Sequence, residues 1–346
     1  LVTFSVGEEA YPVEQFDAKY NRPDKVLQTL NSSDNKLVQL YKSAHEKRLK
    51  KLGIKESDLT NLLELPKVSI LNQNEIPVST DQESVTISFE ASDANGKMKS
   101  YNILQNNVPL FGRNGKSISS TSNFKMKESL KLVEGTNTIQ IVVSNSNGNQ
   151  SLKEEIEITC NKKFQKNLYI VSIGTSMYKN SSYNLNYAAK DAKDLLSLYE
   201  NKAGGVFKEV LVKSLTDKEA TKESIIGLKT FLGKATKHDV VLFFIAGHGV
   251  LDTEFDYYYG THDIDFNNPS VRGLKYEDLE AVLDGIKPLK KILIMDTCHS
   301  GEVDKDDVTM GEDIPAEQGD IVFRNVGPAV VDTKKGSPTK MMKELF

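Results

Sequence analysis

The chain has 346 residues, 38% of them hydrophobic and 27% charged, with a formal net charge of −4. That length exceeds one ordinary domain and the apolar content suffices for packed cores, so two or three globular domains are expected. No apolar run approaches the roughly 20 residues of a membrane span, and the mixed charge leaves no footprint for nucleic acid or an anionic membrane.

Only two cysteines occur, Cys160 and Cys298, which excludes a disulfide framework. The five histidines show no metal-ligand spacing to them. His299 beside Cys298 makes a poor zinc site without further ligands, so no metal is expected. The opening Leu1-Val2-Thr3-Phe4-Ser5 has neither a starting Met nor a signal-peptide layout, so the sequence is read as a fragment.

Residues 1–66 read as helical and connective. Over 35–52, Leu37, Leu40, Tyr41, Ala44, Arg48 and Leu49 recur near helical spacing, with Asp34 as N-cap and Gly53 just beyond the end. Lys47, Arg48, Lys50 and Lys51 fall in the last turn, where the helix dipole favours cations. Nucleic-acid binding is the other reading of that cluster, but no aromatic platform accompanies it.

Residues 67–162 change texture. Val85, Ile87, Phe89 and Ala91 alternate with polar residues, Asp93-Ala94-Asn95-Gly96 turns the chain, and 100–104 resumes as strand. A further strand over 138–143 precedes the turn Asn145-Ser146-Asn147-Gly148. Short alternating strands with Gly and Asn turns predict a small β-sandwich, and 132–151 resembles bacterial immunoglobulin-like modules.

From 163 onward strands and helices alternate. Strands are predicted at 168–174, 209–213, 240–246 and 291–295, with amphipathic helices at 186–200, 221–232 and 276–284. That alternation specifies an α/β fold, a doubly wound and mainly parallel sheet.

Two stretches in this part carry chemistry. Val240-Val241-Leu242-Phe243-Phe244-Ile245-Ala246-Gly247-His248-Gly249 and Ile292-Leu293-Ile294-Met295-Asp296-Thr297-Cys298-His299-Ser300-Gly301 each begin as an apolar run of strand length. Such runs read as strands buried on both faces. Each then reaches small residues and one reactive side chain. Taken singly, Cys298 reads as a core hydrophobe and His248 as a hydrogen-bonded ring. Together, delivered to the carboxyl edge of one parallel sheet, where ligands gather, they suit a nucleophile and its base.

Ala246-Gly247-His248-Gly249 with Asp296-Thr297-Cys298-His299-Ser300-Gly301, fifty residues from His to Cys, resembles the caspase and metacaspase superfamily of cysteine peptidases. Animal caspases carry Gln where this chain has Asp296, so the motif is closer to the metacaspase branch and its bacterial relatives. The resemblance covers about 166–346. It implies a caspase-like fold and a dyad in which Cys298 attacks a peptide carbonyl and His248 protonates the leaving amine, with the amides of Gly249 and Cys298 as oxyanion donors. It also implies a basic side-chain pocket formed by Asp191 and Asp296, because two carboxylates attract a guanidinium or an ammonium. Cleavage after Arg, and less readily after Lys, is therefore expected. A solvated helix position for Asp191 and a loop hydrogen bond for Asp296 are the alternatives.

The segment 302–320 holds eight carboxylates and one Lys and lacks EF-hand spacing. It reads as a surface loop or as a calcium-responsive one, since several metacaspases need calcium; no other cofactor is expected. Lys305, Arg324 or Lys334-Lys335 would serve as self-processing sites. The amphipathic pattern at 337–346 stops short of the small-subunit portion of a caspase fold, which is expected on a separate chain or lost by cleavage. By resemblance, bacterial caspase domains also occur behind WD-repeat propellers. A free nucleophilic thiol fits a reducing, cytoplasmic compartment. The alternative to a peptidase is a scaffold that no longer cuts, with the β-sandwich as its working surface.

Overall fold

The computed structural model of the chain describes residues 3–6, 9–12, 16–31, 34–52, 55–59, 65–94, 97–146, 149–199, 204–252 and 256–299, with Cys298 and His299 described by their backbone. The acidic segment 302–320, the candidate processing positions and the amphipathic pattern at 337–346 lie outside these residues. The described chain forms two compact units. One comprises residues 1–165 with 236–238 and 284–289; the other comprises 166–235, 239–283 and the chain from 290 on.

The first unit opens with the hairpin β1 (Thr3–Val6) and β2 (Glu9–Pro12), followed by helices α1 (Asp17–Tyr20), α2 (Pro23–Thr29) and α3 (Asn35–Leu52). The strands that follow are β3 (Lys67–Ile70), β4 (Ser79–Thr80), β5 (Ser84–Ser92), β6 (Met98–Gln105), β7 (Val108–Pro109), β8 (Lys116–Thr121), β9 (Asn123–Lys131), β10 (Gly135–Asn145) and β11 (Glu154–Cys160). They make a three-stranded sheet in the order β3-β5-β9 and a six-stranded sheet in the order β4-β11-β10-β6-β7, with β8 also on β6. Alternating residues of both sheets, among them Ile87 and Phe89 on β5 and Tyr101, Ile139, Ile141 and Ile158 on the larger sheet, meet in one buried apolar cluster. The period-two pattern thus turns every second side chain inward, and burial of these side chains from water is what holds the layers together.

The second unit contains β12 (Leu168–Gly174), α4 (Ala188–Ser197), β13 (Val210–Thr216), α5 (Lys222–Leu232), β14 (Val240–Leu251), β15 (Tyr257–Tyr259), β16 (Leu274–Lys275), α6 (Tyr276–Leu283) and β17 (Lys290–His299). β13, β12, β14 and β17 run parallel in that order, and β15 and β16 add antiparallel beside the end of β14. It is a mixed α/β sheet. Helices lie on both faces: Ala188 and Ala192 of α4 pack on Phe244 and Ala246, while Phe231 of α5 meets Tyr169 on the opposite face. Every residue of β12 is buried, as an unbroken apolar run between two helical layers requires.

Close approach of α4 to the sheet depends on Gly174. A Cβ there would stand 2.4 Å from the Ala188 carbonyl oxygen and 2.7 Å from the Ala189 Cα, both backbone atoms. Gly174→Ala is therefore expected to destabilise the protein by about 1–3 kcal/mol through overpacking, measured by denaturant unfolding. Wild-type stability would show that α4 yields without cost.

Several expected boundaries differ. The strand placed at 240–246 continues to Leu251, and that placed at 291–295 continues to His299. The reason is pairing: β17 stays in register with β14 up to Gly249↔His299, and β15 supplies an antiparallel partner for Gly249, Val250 and Leu251. His248 and Cys298 thus stand within strands rather than after them. The helix expected at 186–200 begins at Ala188 and ends at Ser197.

Candidate active site

β14 and β17 pair in continuous parallel register from Val240↔Lys290 onward, which makes His248 the direct partner of Cys298. Neighbouring strands lie about 4.8 Å apart, so the backbone positions of the two residues are as close as sheet geometry allows. They also sit near the carboxyl end of the parallel sheet.

Aromatic residues enclose His248, which is 9% exposed. Its ring lies 5.1 Å from that of Tyr178, and Phe266 meets it edge-on at 5.6 Å. Tyr183 stacks on Phe266 at 3.8 Å between centroids. Nε2 of His248 donates to the Tyr183 carbonyl at 2.9 Å, and its backbone N–H donates to Tyr178 Oη at 2.9 Å. With Nε2 carrying the proton, the lone pair of the neutral ring lies on Nδ1. Burial holds the His248 pKa below the ordinary imidazole value, opposed by the hydrogen bond to Tyr183. The ring is accordingly neutral at pH 7.

Gly247 makes the aromatic enclosure possible. Its φ of 151° is one that side chains rarely adopt, and a Cβ would stand 3.0 Å from both Tyr178 Oη and Tyr259 Cε2. Tyr259 is wholly buried; its Oη donates to the Ala246 carbonyl at 2.9 Å and therefore receives Thr175 Oγ1 at 2.8 Å. One residue before Cys298, Thr297 Oγ1 is 2.6 Å from Tyr257 Oη.

Gly249, expected as an oxyanion donor, has β17 on one side and β15 on the other. Because the His248 carbonyl accepts from the Gly260 N–H at 2.7 Å on the β15 side, alternation along the strand turns the Gly249 N–H toward β17. Asp296 is exposed on β17, opposite Ala246. Asp191 is half-buried in the first turn of α4, one residue before Ala192, which packs against Ala246. The fold thus brings His248 and Cys298 into direct register, sets Asp296 opposite Ala246, and puts Asp191 next to Ala192 in the first turn of α4. Tyr178, the Tyr183 carbonyl, Phe266 and the strand Tyr257–Tyr259 were not anticipated from the sequence. The run Tyr257-Tyr258-Tyr259 between turn residues was the available signal, since aromatic residues favour strands.

Among the described residues no group of three or more His, Cys, Asp or Glu could hold a metal ion, and no helix is long and apolar enough to cross a membrane.

Comparison with known proteins adds three findings. No curated protein matches the chain. Solved structures that match include the fibronectin(III)-like modules of CbhA from Clostridium thermocellum, at 20% identity over 30% of this chain and 50% of that one with a TM-score of 0.22. A structural-genomics protein from Geobacter sulfurreducens matches at 23% identity over 40% and 52%, with a TM-score of 0.31, and the SrpA adhesin of Streptococcus sanguinis at 12% identity over 44% and 81%, with a TM-score of 0.22. The chain spans about half the length of the first two, and TM-scores this low establish neither a shared fold nor a shared function. The family model described as the caspase domain of Peptidase C14 matches residues 169–342, half of the chain, including both strands of the candidate site. On that match the chain belongs to the caspase-domain family of cysteine peptidases.

Proposed function

We propose that the protein is a cysteine endopeptidase of the metacaspase kind that uses His248 and Cys298 to cut after Arg or Lys. The observation that carries this reading is the direct register of His248 with Cys298 near the carboxyl end of a parallel sheet. In the first half-reaction Cys298 Sγ bonds to the peptide carbonyl carbon while its proton passes to His248 Nδ1. By family resemblance the oxyanion falls to the amides of Gly249 and Cys298, which must leave the β14–β17 ladder to take it. Collapse breaks the C–N bond, and His248 returns the proton to the leaving amine. Water then adds to the thioester, gives a proton to His248, and releases the acid as Cys298 recovers its thiol. A neutral resting His248 suits this sequence, because it must accept a proton before it donates one.

Asp191 in the first turn of α4 and Asp296 opposite Ala246 on β17 are the carboxylates offered to the basic side chain. The small-subunit portion would cover β17, where Ile292 and Ile294 of the apolar stretch Ile292–Met295 stand 49% and 40% exposed. The two layers of residues 67–162 are read as an immunoglobulin-like module placed before the peptidase, with 1–66 as a helical connector. Self-processing would use a basic residue after Cys298, and calcium would act through 302–320. A non-cutting scaffold is the competing assignment.

Matched fluorogenic peptides ending in Arg, Lys or Asp, with and without calcium, test this function. Turnover of Arg and Lys peptides alone supports it. Preference for Asp would overturn the acidic pocket, and silence on all three, with Cys298 inert to thiol reagents, would favour the scaffold.

The pH profile gives a second test. A base with a depressed pKa stays neutral below the ordinary imidazole value of about 6.5, so the acid limb of kcat/KM is expected below that value. Phe266→Ala admits water to the ring and is expected to move the limb up toward about 6.5. The sign for stability is the same: the unfolded chain binds more protons between the two values, so stability falls as pH drops through that window. An acid limb already at or above the free-imidazole value would contradict the assignment of His248 as the base.

A further inference from the structure

We propose, resting on the peptidase reading above, that Asp217 is a positioning residue for both halves of the site: its carboxylate seats the turn after β12, which in turn seats His248 and the start of α4. Asp217 follows β13 directly and has a φ of 49°, a left-handed conformation uncommon outside glycine. The local turn closes without its side chain, since the Ala220 N–H donates to the Asp217 carbonyl at 2.8 Å and the Thr216 N–H reaches Glu219 Oε2 at 3.4 Å. The carboxylate instead reaches across to the end of the neighbouring strand. Oδ1 accepts from the backbone N–H of Ser176 at 2.9 Å and of Met177 at 2.7 Å.

Ser176 is buried and sits at the junction of both routes. Its Oγ accepts from the Ala189 N–H at 2.8 Å, in the first turn of α4 that also carries Asp191. Its carbonyl accepts from the Leu185 N–H at 2.8 Å. Two residues on, the Tyr178 N–H donates to Asn184 Oδ1 at 2.8 Å while Tyr178 Oη holds the His248 backbone. The segment between supplies the Tyr183 carbonyl to His248 Nε2. From the other side His262 straps the same turn: its carbonyl accepts from the Lys179 N–H at 2.8 Å, and its Nδ1 pairs with the Met177 carbonyl. Without Asp217 the N–H groups of Ser176 and Met177 lose their acceptor, that of Ser176 in a buried place.

Three substitutions in this chain separate the causes. Asn at 217 keeps an Oδ1 acceptor and tolerates left-handed φ, so Asp217→Asn is expected to keep kcat/KM for Arg peptides near wild type. Asp217→Gly relieves the backbone but removes the acceptor. Asp217→Ala removes the acceptor and leaves the strain. Both are expected to lose roughly ten- to hundredfold in kcat/KM, shared between kcat through His248 and KM through Asp191, with the acid limb moved toward about 6.5. Wild-type kinetics in the Gly variant would overturn the proposal by making backbone strain the whole story, and losses in Asn equal to those in Gly would overturn the acceptor argument. NMR titration of His248 in a Cys298→Ala background reads the same seat without turnover. A midpoint unmoved by Asp217→Gly sinks the positioning role even if the wild type is active. Peptide silence of the wild type with a shifted midpoint sinks the peptidase reading and leaves the positioning intact.

Discussion

Alanine at Cys298 is expected to abolish turnover of Arg peptides, and alanine at His248 to lower kcat by a comparable factor, on the order of 10⁴. The double variant should be no slower than the slower single one. The physical reason is the ladder between β14 and β17, which sets the two residues opposite each other. A thiol without the neighbouring base is scarcely ionised at pH 7, and the base without the thiol has no proton to move. Losses that multiply in the double variant would show two independent contributions and would remove the dyad. Cys298→Ala should keep a wild-type unfolding curve, whereas His248→Ala leaves the Tyr183 carbonyl unpaired beside Tyr178 and Phe266 and should cost about 1–3 kcal/mol.

Asp296→Asn is the second large effect. A charge-assisted hydrogen bond contributes about 1.5–3 kcal/mol, so losing the charge should lower kcat/KM for Arg peptides roughly ten- to hundredfold. Asp296 is exposed before substrate arrives, and its own contribution to stability is small; the loss should fall on substrate and not on folding. Asp191→Asn should weaken Arg and Lys peptides together, with the doubly neutral pocket losing its preference for a cation over an uncharged side chain. Unchanged Arg turnover in both single variants would place the basic side chain elsewhere. The comparison requires matched ionic strength, since screening reaches about 8 Å at 0.15 M salt.

The apolar runs at 168–174, 240–246 and 291–295 were legible because a strand covered on both faces needs apolar residues at every position. The helix at 35–52 was legible because its apolar residues recur at helical spacing between a capping Asp34 and a following Gly53. The residues His248, Cys298, Asp191 and Asp296 were singled out through resemblance to a family. What surrounds them was not. Tyr178, Tyr183, Phe266 and Asp217 lie in connecting segments between the strands and helices, where no periodicity operates, and the hydrogen bonds of Tyr178 and Tyr183 with His248 and of Asp217 with Ser176 and Met177 span 40 to 70 residues of sequence. The continuation of β14 to Leu251 was hidden for the same reason, because it depends on β15 and β17 and not on its own composition.

Local chemistry therefore determined which segments become buried strands and which side chains could react, since burial period and reactivity belong to the residues themselves. Only the tertiary structure decided that His248 stands opposite Cys298, that its Nε2 is held by the Tyr183 carbonyl and that its ring stays neutral. Each of these depends on register and burial, which arise when strands and loops distant in sequence meet.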